Sequence, residues 1–173
     1  MLTQILFVIF AIIAIVCALM VITRKNPVAS AMWLVGSFFS LAAIYTLLGA
    51  FFIGIVQILV YAGAIMVLFL FVIMLLNLGN DFEPDLRGAV WKVVAAGSAL
   101  VMLALLARTL SSGATPAGSA GGPGGLARLT AEHGAVGVVG IPMFLHFGLP
   151  LQITGIFLLV AVVGAVVLAK RQV

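Results

Sequence analysis

From Pro27 to Gly79 the chain carries no charged side chain, and the stretch closes on an unbroken apolar run from Ile53 to Leu76 interrupted only by Gly54, Gln57, Tyr61 and Gly63. As a helix, residues 53–76 would be about 36 Å long at roughly 1.5 Å per residue. That exceeds the roughly 30 Å hydrocarbon core of a bilayer. Within lipid the backbone must satisfy its own hydrogen bonds, so an α-helix is the structure this segment can take. Polar groups and glycines at that depth face protein or an internal water path, which makes Gln57, Tyr61 and Gly63 the residues to follow.

Composition points the same way. The chain is 65% hydrophobic and 7% charged, where soluble domains carry about 25% charged residues. Too little polar sequence remains outside the apolar runs for a soluble domain, so 1–173 reads as one membrane domain. Its net charge is +4, but the basic residues do not cluster, and phosphate binding needs clustered cations. Nucleic acid is therefore excluded as a partner, and Arg24, Lys25, Arg87, Lys92, Lys170 and Arg171 read as topology signals and head-group anchors. The single Cys17 excludes an internal disulfide. The N-terminus Met1-Leu-Thr-Gln4 lacks the positive region of a secretory signal. The first run reads as a retained span.

Apolar runs and their interruptions predict an all-α integral membrane bundle of five spans, at about 3–22, 28–48, 53–76, 88–108 and 150–169. Asn26-Pro27 separates the first two, with proline suited to a first helical position. The short turn from Gly49 to Gly54 makes spans two and three antiparallel neighbours. Residues 109–133, which include SSGATPAGSAGGPGG, read as a flexible outer loop. Val136 to Phe147 reads as an interfacial segment interrupted at Pro142. With the N-terminus outside, the inner side receives Arg24, Lys25, Arg87, Lys92, Lys170 and Arg171, and the outer side only Arg108 and Arg128. This bias favours N-outside, C-inside.

On a regular helix, Gly54, Gln57, Tyr61, Ala64 and Leu68 share one face, with Gly63 opposite. That pattern suits a packing stripe in which Gln57 and Tyr61 hydrogen-bond across the contact. It also suits a stretch around Gly63 that takes an extra residue per turn, a π-bulge of the kind found mostly at functional sites. Gln57, Gln152 and Thr154 are polar at membrane depth but cannot titrate. No Asp, Glu, Lys, Arg or His falls in the central part of a span, and a lone ion pump needs one. Asp81, Glu83 and Asp85 read as a solvated loop in which Asp85 caps the next helix. His133 and His146, with Glu132 near the first, fall short of a metal ligand set. Trp33 and Trp91 read as membrane aromatics, Trp91 in an interfacial belt. No phosphate-binding glycine loop, nucleophile elbow or cysteine cluster occurs.

The sequence Tyr61-Ala-Gly-Ala-Ile-Met-Val-Leu-Phe-Leu-Phe-Val-Ile-Met-Leu-Leu-Asn77-Leu-Gly resembles the signature helix of the J subunit family of bacterial proton-translocating NADH:quinone oxidoreductase. Its mitochondrial counterpart is NADH dehydrogenase subunit 6 of respiratory complex I. Arg24-Lys-Asn-Pro-Val28 resembles the family's first inner loop, and Leu158 to Arg171 its last helix. The resemblance covers most of residues 20–80 and 135–171. It implies a bacterial inner-membrane subunit near the quinone module, with no cofactor of its own and no catalytic residue. NADH, flavin, iron–sulfur clusters and quinone would be bound by partner subunits. The chain would live among other membrane subunits of complex I and lipid, not as a stand-alone monomer. The resemblance further implies a π-bulge in the third helix, at Tyr61, Gly63, Ala64 and Val67, whose change of form opens and closes a water path. Family members commonly carry glutamate at the position of Gln152, and some at that of Gln57; both are amides here. Other readings are a subunit of a related membrane hydrogenase or multisubunit cation/proton antiporter, or a scaffold subunit whose third helix never switches.

Overall fold

The computed structural model describes residues 1–76, 89–111 and 125–170. All its elements are helical: α1 (Leu2–Thr23), α2 (Pro27–Leu47), α3 (Phe51–Val56), a π-helical segment (Gln57–Ile65), α4 (Met66–Leu76), α5 (Ala89–Ser111), α6 (Gly125–Leu145) and α7 (Gly148–Ala169). The α3–π–α4 sequence is one continuous span, Phe51–Leu76. Among the described residues, four helices are long and apolar enough to cross a membrane: Leu2–Thr23, Pro27–Leu47, Phe51–Leu76 and Gly148–Ala169. Within α5, Val93–Thr109 is a shorter apolar stretch; it falls at the fourth of the five expected spans but is not long enough to count with the other four.

The breaks between the first three spans follow from local chemistry. Asn26 caps α2, its side-chain oxygen accepting from the backbone N–H of Val28 at 2.9 Å and of Ala29 at 3.3 Å, with Pro27 at the first helical position. Thr46 to Ala50 end the same helix in a Schellman turn. Ala50 N–H donates to Tyr45 O at 2.9 Å, Gly49 N–H donates to Thr46 O at 3.0 Å, and Gly49 takes φ 83°. Only glycine adopts that φ without steric cost. The result is an antiparallel pair, α2 against α3–π–α4, with α1 packed on the other side of α2.

Among lipid tails, apolar contact alone gives little drive for helix association, so close packing of small residues decides where helices meet. Cys17 of α1 is buried against α2 at Gly36, where a Cβ would lie 3.3 Å from its sulfur. The Ser30 hydroxyl donates to the Val21 carbonyl and ties the start of α2 to the end of α1. Ser40 Oγ returns a hydrogen bond to Gly36 O at 3.0 Å and Thr46 Oγ1 to Ala42 O at 2.9 Å, which satisfies both hydroxyls inside their own helix. At the head-group end of α1, the Arg24 guanidinium lies 5.9 Å from the Trp33 ring centre.

Two boundaries differ from the sequence expectation. The interval 109–133 is helical at both ends, since α5 continues to Ser111 and α6 begins at Gly125. Past the glycine tract, Leu126-Ala-Arg-Leu129 and Ala131-Glu132 are strong helix formers, and α6 also packs on α3 and α7. The interruption in this region falls at Gly134 (φ 72°, ψ 163°), while the helix runs through Pro142 to Leu145. The Pro142 carbonyl then accepts from the N–H groups of His146 at 2.8 Å and Phe147 at 3.2 Å, closing α6. Asn77, Asp81, Glu83, Asp85, Arg87, Arg171 and residues 112–124 lie outside the described residues.

Candidate functional site

The third span is not a regular helix. Gln57–Ile65 is π-helical, and the N–H of Met66, at its end, reaches back to Tyr61 O as well as Gly63 O. Tyr61 and Gly63 sit inside this segment, with Ala64; Val67 lies just beyond it, on α4.

One inserted residue changes which side chains face α2. At about 100° per residue, a regular helix starting from Gly54 would bring Tyr61, Ile65 and Val72 back to within about 20° of the Gly54 direction. The buried residues are instead Gly54, Ala62 (7% exposed), Met66 (3%) and Ile73. Each of the last three lies one position later than the regular register. The stripe Gly54, Gln57, Tyr61, Ala64 and Leu68 expected from a regular period is therefore not the packed face. Gly54 is buried, Gln57 half-buried, and Tyr61, Ala64 and Leu68 are exposed. The π segment Gln57–Ile65 breaks the 3.6-residue period on which that stripe depends.

At the N-terminal side of the bulge the backbone of Gly54 meets α2 with no room for a side chain. A Cβ on Gly54 would lie 2.8 Å from Thr46 Oγ1 and 3.0 Å from the backbone oxygen of Ala42. On the C-terminal side, Ala31, Met66 and Ile73 form a buried cluster, with Leu34, Val35, Phe38 and Leu70 packed against it. Between these two, the Tyr61 ring meets Phe38 edge-to-face at 5.7 Å and 66°. Tyr61 thus engages α2 through its ring, in place of the hydrogen bond expected across the contact. At Gly63 a Cβ would stand 3.3 Å from the Ile58 carbonyl oxygen, the acceptor five residues back. A glycine relieves that crowding.

The other polar candidates are elsewhere. Gln152 and Thr154 lie exposed on α7, and the Thr154 hydroxyl donates to Pro150 O at 2.9 Å within its own helix. Among the described residues α7 packs only on α6, so the structure does not bring Gln152 to Gln57. His133 and Glu132 are 4.0 Å apart and both solvent-accessible. Among the described residues no three His, Cys, Asp or Glu side chains gather as a metal site. Ala62, Met66 and Phe38 carry no signal in the sequence: the first two are apolar residues that only the shifted register singles out, and Phe38 is marked only by its contact with the Tyr61 ring.

A family model described as NADH-ubiquinone/plastoquinone oxidoreductase chain 6 matches residues 17–168. The chain belongs to this family. Among its relatives, NADH-quinone oxidoreductase subunit J of Rhodobacter capsulatus is 39% identical over 170 residues, covering 96% of this chain and 81% of the relative. NAD(P)H-quinone oxidoreductase chain 6 of Leptolyngbya boryana is 35% identical over 96% of this chain and 79% of its own length. NADH-quinone oxidoreductase subunit J of Escherichia coli K12 is also 35% identical, over 96% of this chain and 86% of its own. This member of the chain 6 family is a multi-pass membrane protein whose third span carries a π segment.

Proposed function

We propose that this chain is a membrane-arm subunit of a proton-translocating NADH:quinone oxidoreductase, and that its third span is a conformational gate coupling quinone reduction to proton movement. The observation that carries the reading is the π segment Gln57–Ile65, with Tyr61 and Gly63 inside it, in a chain of this family. A π segment is an α-helix with one residue too many, so it can return to α form only by rotating what lies beyond it. Such rotation would present a different set of side chains to a neighbouring water path.

The chemistry is supplied by partners. With no Asp, Glu, Lys, Arg or His in the centre of a span, the chain would supply no readily titrating group itself; NADH, flavin, iron–sulfur clusters and quinone would belong to other subunits. Other membrane subunits would cover the apolar surface that the described residues leave open, including most of α7. The chain would sit in the bacterial inner membrane as one membrane domain with five spans, N-terminus outside and C-terminus inside.

The test is Gly63→Val in assembled complex, with NADH:quinone activity and proton pumping both measured. A β-branched side chain at the crowded turn restricts backbone and rotamer alike, so both rates should fall together. Tyr61→Phe keeps the ring against Phe38 and removes only a hydroxyl, an effect of about 1 kcal/mol or less. Its rates should fall far less. Wild-type rates and proton stoichiometry in Gly63→Val would leave only a non-switching scaffold.

A further inference from the structure

The two registers of the third span can be compared side chain by side chain. In the π form the face toward α2 is Ala62, Met66, Leu70 and Ile73. Removing the extra residue while Gly54 stays in place would rotate the distal part by about 100°. The same positions would then be filled by Tyr61, Ile65, Phe69 and Val72. Ile65 for Met66 nearly conserves volume, Val72 for Ile73 removes one methylene, and Phe69 for Leu70 falls at a partly covered position. Tyr61 for Ala62 is different, because a methyl group is replaced by a phenol ring in a slot that is 7% exposed. Phe38 touches the ring of Tyr61, the neighbour of Ala62 in the chain, and also packs against the Ala31–Met66–Ile73 cluster.

We propose that Phe38 on α2 is the positioning residue that sets the balance between the two registers of the third span. In the π register it holds Tyr61 edge-to-face at the margin of the interface. In the α register it stands where the Tyr61 ring must go. Both effects favour the π form, and both act at one side chain that lies outside the switching helix. This inference rests on the reading that the third span changes register.

The register can be read without activity, by disulfide formation in assembled complex carrying Cys17→Ala and Ala31→Cys. Met66→Cys, added to this background, reports the π register, and Ile65→Cys, added separately, the α register. Phe38→Ala should raise the yield of the 31–65 disulfide relative to 31–66 by roughly threefold to tenfold, the scale of one lost edge-to-face aromatic pair. Phe38→Leu, which keeps most of the apolar volume for assembly, should raise it less. Tyr61→Ala should raise it too, since the two registers then differ little in size at the slot. An unchanged ratio in all three variants would overturn the role of Phe38. If the unsubstituted Phe38 complex still forms both disulfides in that case, the gate survives and only its control by Phe38 fails. A 31–66 disulfide alone, in every variant and during turnover, would overturn both.

Discussion

Gly54 fixes the third span to α2 just before the π segment, and a single added methyl group there tests how much that contact matters. In Gly54→Ala the new Cβ would lie 2.8 Å from Thr46 Oγ1 and 3.0 Å from Ala42 O, both well inside ordinary van der Waals contact. The hydroxyl could rotate away at the loss of its bond to Ala42 O. The Ala42 oxygen is backbone and part of α2, so the helices themselves must separate. Overpacking of this kind costs roughly 1–3 kcal/mol, enough to lower the amount of assembled complex and the temperature at which it comes apart. Thr46→Ala alone should be nearly silent, since it deletes a bond within one helix. Combined with Gly54→Ala it should restore part of the loss but not all, because the 3.0 Å contact with the Ala42 carbonyl remains. The assay is complex abundance and thermal dissociation in detergent-solubilised membranes for the two single variants and the double. Wild-type assembly and stability in Gly54→Ala would refute the close crossing, and with it the pinned end about which the third span is taken to rotate.

Other consequences are smaller or concern topology. Asn26→Ala removes the cap on two N–H groups of α2 and should lower stability by about 0.5–2 kcal/mol, read as reduced thermal stability of the complex with its turnover rate unchanged; Asn26→Ser should recover most of it. In sealed, oriented membranes a cysteine introduced at Ser119 should react with an impermeant reagent from the outer side, and inner-side labelling would reverse the proposed orientation.

Much of the helical plan is legible from the residues, for reasons that are themselves physical. Asn26-Pro27 and Gly49 end and start helices by capping and by a left-handed backbone, both short-range effects that a local pattern carries. The apolar runs set the first three spans and the last by length alone. Past Ser111 the pattern weakens: a glycine tract conceals where α6 resumes, and of the two candidate breakers, Gly134 and Pro142, the glycine takes the non-helical backbone. Pro142 stays inside the helix and supplies its carbonyl to the closing turn. At the candidate site the sequence marks the segment but not its facing. Tyr61 and Gly63 stand out as a polar ring and a weak helix former in an apolar run. Ala62 and Met66 do not stand out, since their burial depends on one inserted residue that no 3.6-residue period reveals, and Phe38 is one aromatic among many apolar residues of α2. The packed face of this helix is a property of its register.

Register is therefore what the decisive measurement must hold still. In assembled complex with Cys17→Ala, a disulfide between cysteines introduced by Ala31→Cys and Met66→Cys would clamp the third span in the π form against α2. NADH:quinone activity and proton pumping should both drop on oxidation and both return on reduction, while NADH oxidation by an artificial acceptor that bypasses quinone is unaffected. Full coupled turnover with the disulfide formed would contradict the account, because it would show that the third span works without leaving its π register.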